Sequence, residues 1–435
     1  MALSTTGNEK RNLMTDRLRN AHSDHRERRS ATAVRGATPL AERSLAPDLA
    51  RGVMLLLIAL AHVPYFLYIA PTGPVGAHPV EGGVADRIAQ AVTLTVVDAR
   101  VYTMFGFLFA YGIGQMAARQ IGNGTSPDEV RRLLRRRHLW MIAFGAVHAV
   151  LLWQGDIIGA YGLIGLIMVP LFFTRSDRTL KVWIGILVGL AALVALVNGW
   201  VLTASSTVSE VIPAQAQRLS IAEPNYLDSA VARIPAWITA LVGSVVGMSL
   251  LAAFLMGVLA ARHRILDEPQ RHLVLLRRLA FWGIAAGWAT GAALALQHTG
   301  VVDLAPDGVL VNLQIFAGTF SGIGYAALFG LLANWLSGRP GPPPRPVRWV
   351  GALGRRSMSG YLAQSLAWGP VLAAWGLGLG AHMSSWSVAV YAIGVWVVTV
   401  IVAAAMERRG LRGPAEVALR RLTYGSASAT NPAGR

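Results

Sequence analysis

The chain has 435 residues, of which 54% are hydrophobic and only 14% charged. A soluble globular domain carries about 25% charged residues, so the polar surface needed to cover a soluble protein of this size is missing and long apolar runs take its place. The net charge of +17 comes with no nucleic-acid motif, so it reads as the basic excess of cytoplasmic membrane segments. The absence of cysteine excludes disulfides, thiolate metal sites and a cysteine nucleophile.

In chain order, residues 1–44 hold no apolar run of signal-peptide length and read as a disordered basic cytoplasmic tail. Apolar spans follow near 52–70, 93–116, 138–153, 157–173, 182–203, 236–260, 279–297, 311–335, 357–378 and 387–406. Most approach the ~20 residues that a membrane-spanning helix needs. The expected fold is all-α: a polytopic membrane protein of ten transmembrane helices. Residues 45–335 form an eight-helix core and 336–356 a Pro-rich cytoplasmic linker, SGRPGPPPRPVRW, expected to be stiff and extended. Residues 357–425 supply a helix pair and a basic amphipathic tail, and 426–435 are expected to be disordered.

Loop charges set the orientation. With the amino terminus inside, 35 of the 39 lysines and arginines fall on cytoplasmic segments, leaving Arg87, Arg100, Arg218 and Arg233 outside. The outer segments hold nine acids, Glu210 among them. This partition predicts both termini in the cytoplasm of a bacterial cell, with the chain in the inner membrane. The longest outer loop, about 204–235, has room for a partly helical cap.

Four stretches carry candidate chemistry. In APDLARGVMLLLIALAHVPYF, Pro47 and Asp48 suit a helix start and Arg51 can pair with Asp48. His62 lies eleven residues after Arg51, on the same helix face and about 16 Å further along. Arg51 then sits at the cytoplasmic boundary and His62 within the membrane, where an ionisable group marks a functional site by default. Their alternatives are a snorkelling arginine and a packed histidine bonded to a carbonyl. In VDARVYTMFGFLFAYGIG, Asp98 and Arg100 stand two residues apart and face separate partners. In HLWMIAFGAVHAVLLWQGDIIGAYGLIG, two helices meet at Gln154-Gly155-Asp156. The first has about 24 Å of apolar length, short of the roughly 30 Å core, so the tip can be recessed. Asp156 could there orient a histidine, bind a cation or carry a proton, or be a solvated turn residue, and His148 lies two turns below it. In GRRSMSGYLAQSLAWG, Ser357, Ser359, Tyr361, Gln364 and Ser365 form a polar stripe that lines a cavity or joins helices.

No Walker lysine loop, G-x-S-x-G elbow or H-E-x-x-H is present, and the ten histidines lack metal-ligand spacing. No metal and no bound cofactor are expected.

The order of DLARG, FGFLFAYGIG, FGAVHAVLLWQGDIIGAYGLIG, GRRSMSGYLAQSL and RRGLRGPAEVALRRLTYG, over about residues 44–425, resembles the YeiB-like family of bacterial membrane proteins, which carries a domain of unknown function. In that family the last helix pair and a G-P-x-E tail define the domain. The first helix also resembles a wider group of transmembrane acyltransferases that share an arginine, ten residues and a histidine, as Arg51 and His62 do. That resemblance implies acyl-CoA as cytoplasmic donor, His62 as catalytic base, Arg51 as donor-binding residue and a sugar, lipid or small-molecule acceptor from outside. Asp156 joins His62 as a catalytic candidate; Asp98, Arg100, His148, Gln154, Tyr361 and Gln364 are candidates for substrate binding. The rival expectation is a transporter or flippase with the same intramembrane cavity and no bond chemistry. The partners expected are the lipid bilayer and these small molecules, and no nucleic acid.

Overall fold

The computed structural model describes residues 44–73, 75–204 and 218–424. The expectations for 1–43, for 426–435 and for Glu210 lie outside the described residues. Within them the regular structure is helical, with one isolated bridge between Thr72 and Pro79, as the all-α reading requires.

α1 (Leu45–His62) opens on Pro47 and Asp48 and tightens into a 3-10 turn as far as Phe66. α2 (Val84–Val92) runs into a π turn, and the chain kinks at Ala99, whose φ is 62°, before α3 (Val101–Gly122). The span expected at 93–116 is therefore two helices about a break, and the break carries Asp98 and Arg100. α4 (Pro127–Leu151) starts with a capping box: Ser126 Oγ accepts from the Glu129 N–H while the Glu129 carboxylate accepts from the Ser126 N–H. α5 (Ile157–Phe172) is capped by Asp156, which accepts from the N–H groups of Ile158 and Gly159. Then come α6 (Asp177–Ala204), α7 (Tyr226–Val246), α8 (Met248–Arg262), α9 (Leu273–His298) and α10 (Asp307–Ser337). α11 (Arg345–Gly354), α12 (Ser357–Leu372), α13 (Ser385–Arg408) and α14 (Pro414–Tyr424) complete the described chain.

Seven stretches among the described residues are long and apolar enough to cross a membrane: α1 with its 3-10 turn, α2 with α3, α6, α7, α9, α10 and α13. α5 and α8 are shorter apolar helices. Only 11% of the apolar window of α6 and of α7 is buried. Exposed leucine and valine on that scale need a hydrocarbon solvent, and the chain is an integral, multi-pass membrane protein.

Two expected elements are corrected. The span drawn as continuous over 236–260 breaks at Gly247, whose ψ of 92° is extended. Glycine weakens a helix and permits the turn. α7 stays on the lipid side, while α8 enters the core against α3, where Gly257 touches the Phe107 carbonyl and Ala261 meets Gly114. The Pro-rich linker is not extended throughout: α11 forms within it, because Pro344 is its N-cap and Pro346 falls in its first turn, where the missing N–H costs no bond. α11 packs on α1 through Gly52, set against the Val350 carbonyl, and Gly354, set against the Asp48 carbonyl. A side chain at either would push the two helices apart.

The helix ends gather on two faces. On one, Ser44 Oγ donates to the Leu266 carbonyl, Gln115 to Asp267, Arg262 to Asp177, and Arg355 and Arg356 pair with Glu407. This basic face joins the segments that the sequence assigns to one side. On the opposite face Gln90 bonds Ser385, the Trp386 N–H donates to Asp86, and Arg233 donates to the Val150 carbonyl.

Candidate functional site

α4 and α5 form a hairpin whose tip is drawn into the bundle. Trp153, Gln154 and Asp156 are all buried. The two helices approach closely enough at Gly145 that a Cβ there would run into the Asp156 carboxylate and the Gly159 backbone. Besides capping α5, Asp156 lies 2.9 Å from His148 Nδ1. A carboxylate only accepts, so Nδ1 carries a proton, and in the neutral imidazole Nε2 is then the lone-pair nitrogen. His148 Nε2 is buried with no hydrogen-bond partner among the described residues.

Two further buried atoms near this pair, His62 Nδ1 and Trp153 Nε1, have no hydrogen-bond partner among the described residues. The His62 ring stands 5.9 Å from that of Trp153, and His62 is within electrostatic range of both His148 and Asp156. The Tyr361 ring is 5.0 Å from His148, and its hydroxyl reaches the Gly155 carbonyl at 3.4 Å. Gln364 donates to Thr399 Oγ1 at 3.5 Å. Buried polar atoms in native structures are normally paired, so several unmet atoms in one place mark a site built for something besides packing.

A cavity of about 320 Å³ runs toward this cluster from the basic face. Arg51, Arg119, Arg137 and Arg355 line it together with Leu55, Met141, Ile158 and Tyr361, and Tyr361 is the lining residue whose ring neighbours His148. Arg51 lies 3.6 Å from Asp48 and donates to the Leu108 carbonyl. Gly112 leaves the space that its guanidinium occupies. Glu416, from the G-P-x-E tail, accepts from the N–H groups of Met358 and Ser359 and from the Ser359 hydroxyl. It thereby caps α12, the helix that carries Tyr361 and Gln364.

The structure thus brings His62, His148, Asp156 and Tyr361 together, with Gln154 at the hairpin tip bonded to Ser220, Gln364 bonded to Thr399 and Arg51 in the cavity. Asp156 pairs with His148 and not directly with His62. Asp98 and Arg100 lie elsewhere. Asp98 bonds His78 at 2.7 Å, and Arg100, fully buried, donates to the carbonyls of Leu94, Asp98 and Gly287. Sequence reasoning missed Arg119, Arg137, Arg355 and Glu416 as cavity residues. Arg137 and Arg355 stand in the basic runs RRLLRRRH and RWVGALGRR, which resemble snorkelling collars, and the inward turn of single arginines has no signature in spacing.

The opposite face is covered above the tip. Residues 218–222 make a helical turn in which Arg218 donates to the carbonyls of Pro64, Ala70 and Ala77 and Ser220 donates to Gln154 at 2.8 Å. The Ala374 N–H closes the turn onto the Ile221 carbonyl. Burial lowers the Arg218 pKa to about 10, which still leaves it charged at neutral pH.

Residues 260–426 match the model of a protein family described as a protein of unknown function (DUF418). The match supplies α9 to α14, including Arg355, Tyr361, Gln364 and Glu416, while the His148–Asp156 pair lies before it. The chain is similar to the uncharacterized protein YxaH of Bacillus subtilis (strain 168), at 27% identity over 55% of this chain and 63% of that protein. It is also similar to the uncharacterized protein YeiB of Escherichia coli (strain K12), at 26% identity over 89% of this chain and 97% of the relative. These matches support the resemblance carried by the motifs: the chain is an integral membrane protein similar to YeiB and YxaH, with a region that matches the DUF418 model.

Proposed function

We propose that the chain transfers an acyl group from acyl-CoA to a hydroxyl or amine acceptor inside its helical bundle. In this reading it crosses a bacterial inner membrane ten times, and the basic face is cytoplasmic. The 35-to-four partition of basic residues supports the orientation. The observation that carries the chemistry is the buried His148–Asp156 pair, with Nε2 unpartnered, one aromatic ring from an arginine-lined cavity.

The donor is a polyanion. Arg51, Arg119 and Arg137 meet its phosphates at the cavity mouth, and the thioester reaches inward toward Tyr361. His148 Nε2 takes the proton of the acceptor O–H or N–H. The acceptor atom bonds to the thioester carbonyl carbon, the C–S bond breaks, and the imidazolium returns its proton to the departing thiolate. Asp156 stays ionised throughout and holds the ring. His148 takes the role of base first assigned to His62, because His148 has a carboxylate behind it. His62 remains the second base to test.

A second reading is a carrier for an anionic solute. It is favoured by one observation: the cavity reaches the basic face while the 218–222 turn covers the other, as in one state of an alternating-access cycle. Purified protein separates the two. Acetyl-CoA and palmitoyl-CoA should raise its unfolding temperature, and free CoA should appear when a membrane extract supplies acceptors. His148→Ala should keep the thermal shift and lose CoA release by roughly a hundredfold or more. A protein that neither donor stabilises returns the cavity to the carrier reading.

A further inference from the structure

The run Arg131–His138 reads from the sequence as a snorkelling collar at the start of α4. At 100° per residue, Arg131, Arg135 and His138 share one face of that helix. Arg137 points the other way, into the central cavity. The first face borders a separate recess of about 220 Å³ between α4 and the end of α5, walled by Arg131, Arg132, Arg135, His138, Leu166 and Val169.

The charge in this recess is not neutralised from within. Arg131 is paired with Asp128, one turn earlier. Arg132 and Arg135 are exposed, and neither has an ion pair among the described residues. His138 is fully buried, and neither of its ring nitrogens has a hydrogen-bond partner. The absence of a side chain at Gly165 makes the space for this ring, since a Cβ there would meet Nε2 at 2.6 Å. A buried imidazole with two unmet nitrogens is costly unless something polar reaches it.

The complement of this wall is a phosphate whose oxygens accept from Arg132, Arg135 and His138. Its place between two membrane helices, at their basic ends, is where phospholipid headgroups lie. Leu166 and Val169 add an apolar wall that a free anion would leave unused and an acyl chain would cover. We propose that the recess binds the phosphate of an anionic phospholipid from the surrounding leaflet. This site is distinct from the central cavity and does not depend on the acyl-transfer reading.

The test uses the full chain in detergent and follows the unfolding midpoint during titration with dioctanoyl phosphatidylglycerol, dioctanoyl phosphatidylcholine or inorganic phosphate. Phosphatidylglycerol should stabilise the protein, and the other two should do so far less. Arg132→Gln and Arg135→Gln should each weaken the phosphatidylglycerol effect roughly tenfold, the loss of a charge-assisted hydrogen bond. Arg277→Gln and Arg278→Gln remove the same charge from the exposed start of α9 and should leave it unchanged. Equal losses in all four variants would reduce the effect to diffuse surface charge and overturn the site. Inorganic phosphate matching the lipid would overturn the choice of ligand. Native mass spectrometry of the unsubstituted protein adds a readout that needs no variant: a single retained anionic phospholipid per chain is expected, and a lipid-free spectrum overturns the proposal.

Discussion

Arg100, Arg218 and Arg233 at the opposite face and Arg51, Arg119 and Arg137 at the basic face differ in what surrounds them. The first three are buried, and backbone carbonyls dominate their partners: Leu94, Asp98 and Gly287 for Arg100, Pro64, Ala70 and Ala77 for Arg218, and Val150 with the Ser229 hydroxyl for Arg233. Arg233 also lies over the rings of Tyr226 and Trp375. The second three line a cavity with room for a ligand. Of the four bases that break the charge rule, only Arg87 is exposed. Arginine on the sparse side is therefore structural, holding kinks and loops that lack helical partners. On the rich side Arg51, Arg119 and Arg137 face a cavity instead.

This difference can be broken by measurement. Arg100→Met should have the largest effect. It removes a buried donor from the carbonyls of Leu94, Asp98 and Gly287; Gln314 still donates to Leu94 and Thr290 to Gly287, so the loss should be about 1–3 kcal/mol. A sharply lower unfolding midpoint in detergent is expected, and an unchanged midpoint would show that the opposite-face arginines do not hold the fold. Glu416→Ala should cost about 1 kcal/mol, the value of a helix cap, and loosen α12 in hydrogen exchange at Met358 and Ser359. Protection there equal to that of the parent chain would separate the tail from the site. Arg119→Gln should be the mildest, within about 0.5 kcal/mol of the parent chain in stability. It should still weaken the acetyl-CoA shift, and a loss of stability matching that of Arg100→Met would erase the distinction between the faces.

Much of the site was legible where the chemistry is local. The spacing of Arg51 and His62 follows from helical geometry, and Asp156 is marked by its place between two short apolar runs. Its pairing with His148 was one of several open readings, because a hairpin's register depends on how far its tip sinks. Gly145 and Gly159 set that depth, and a glycine in a membrane helix has many other uses. The break at Gly247 and the helix at 345–354 were not legible for a related reason. Each depends on a partner distant in the chain, α3 for the one and α1 for the other. The carbonyl grip on Arg100 has no sequence pattern at all, since every residue carries a carbonyl.

The reach of that grip bears on how the protein is made. Arg100 and the Gly287 carbonyl are separated by 187 residues. When the chain emerges in order, the carbonyls of Leu94 and Asp98 are within reach of Arg100 before α9 exists, and that of Gly287 is not. A charge at membrane depth is costly until its donors are met, so the last of these bonds ties the kink at Ala99 to the carboxy-terminal half of the chain.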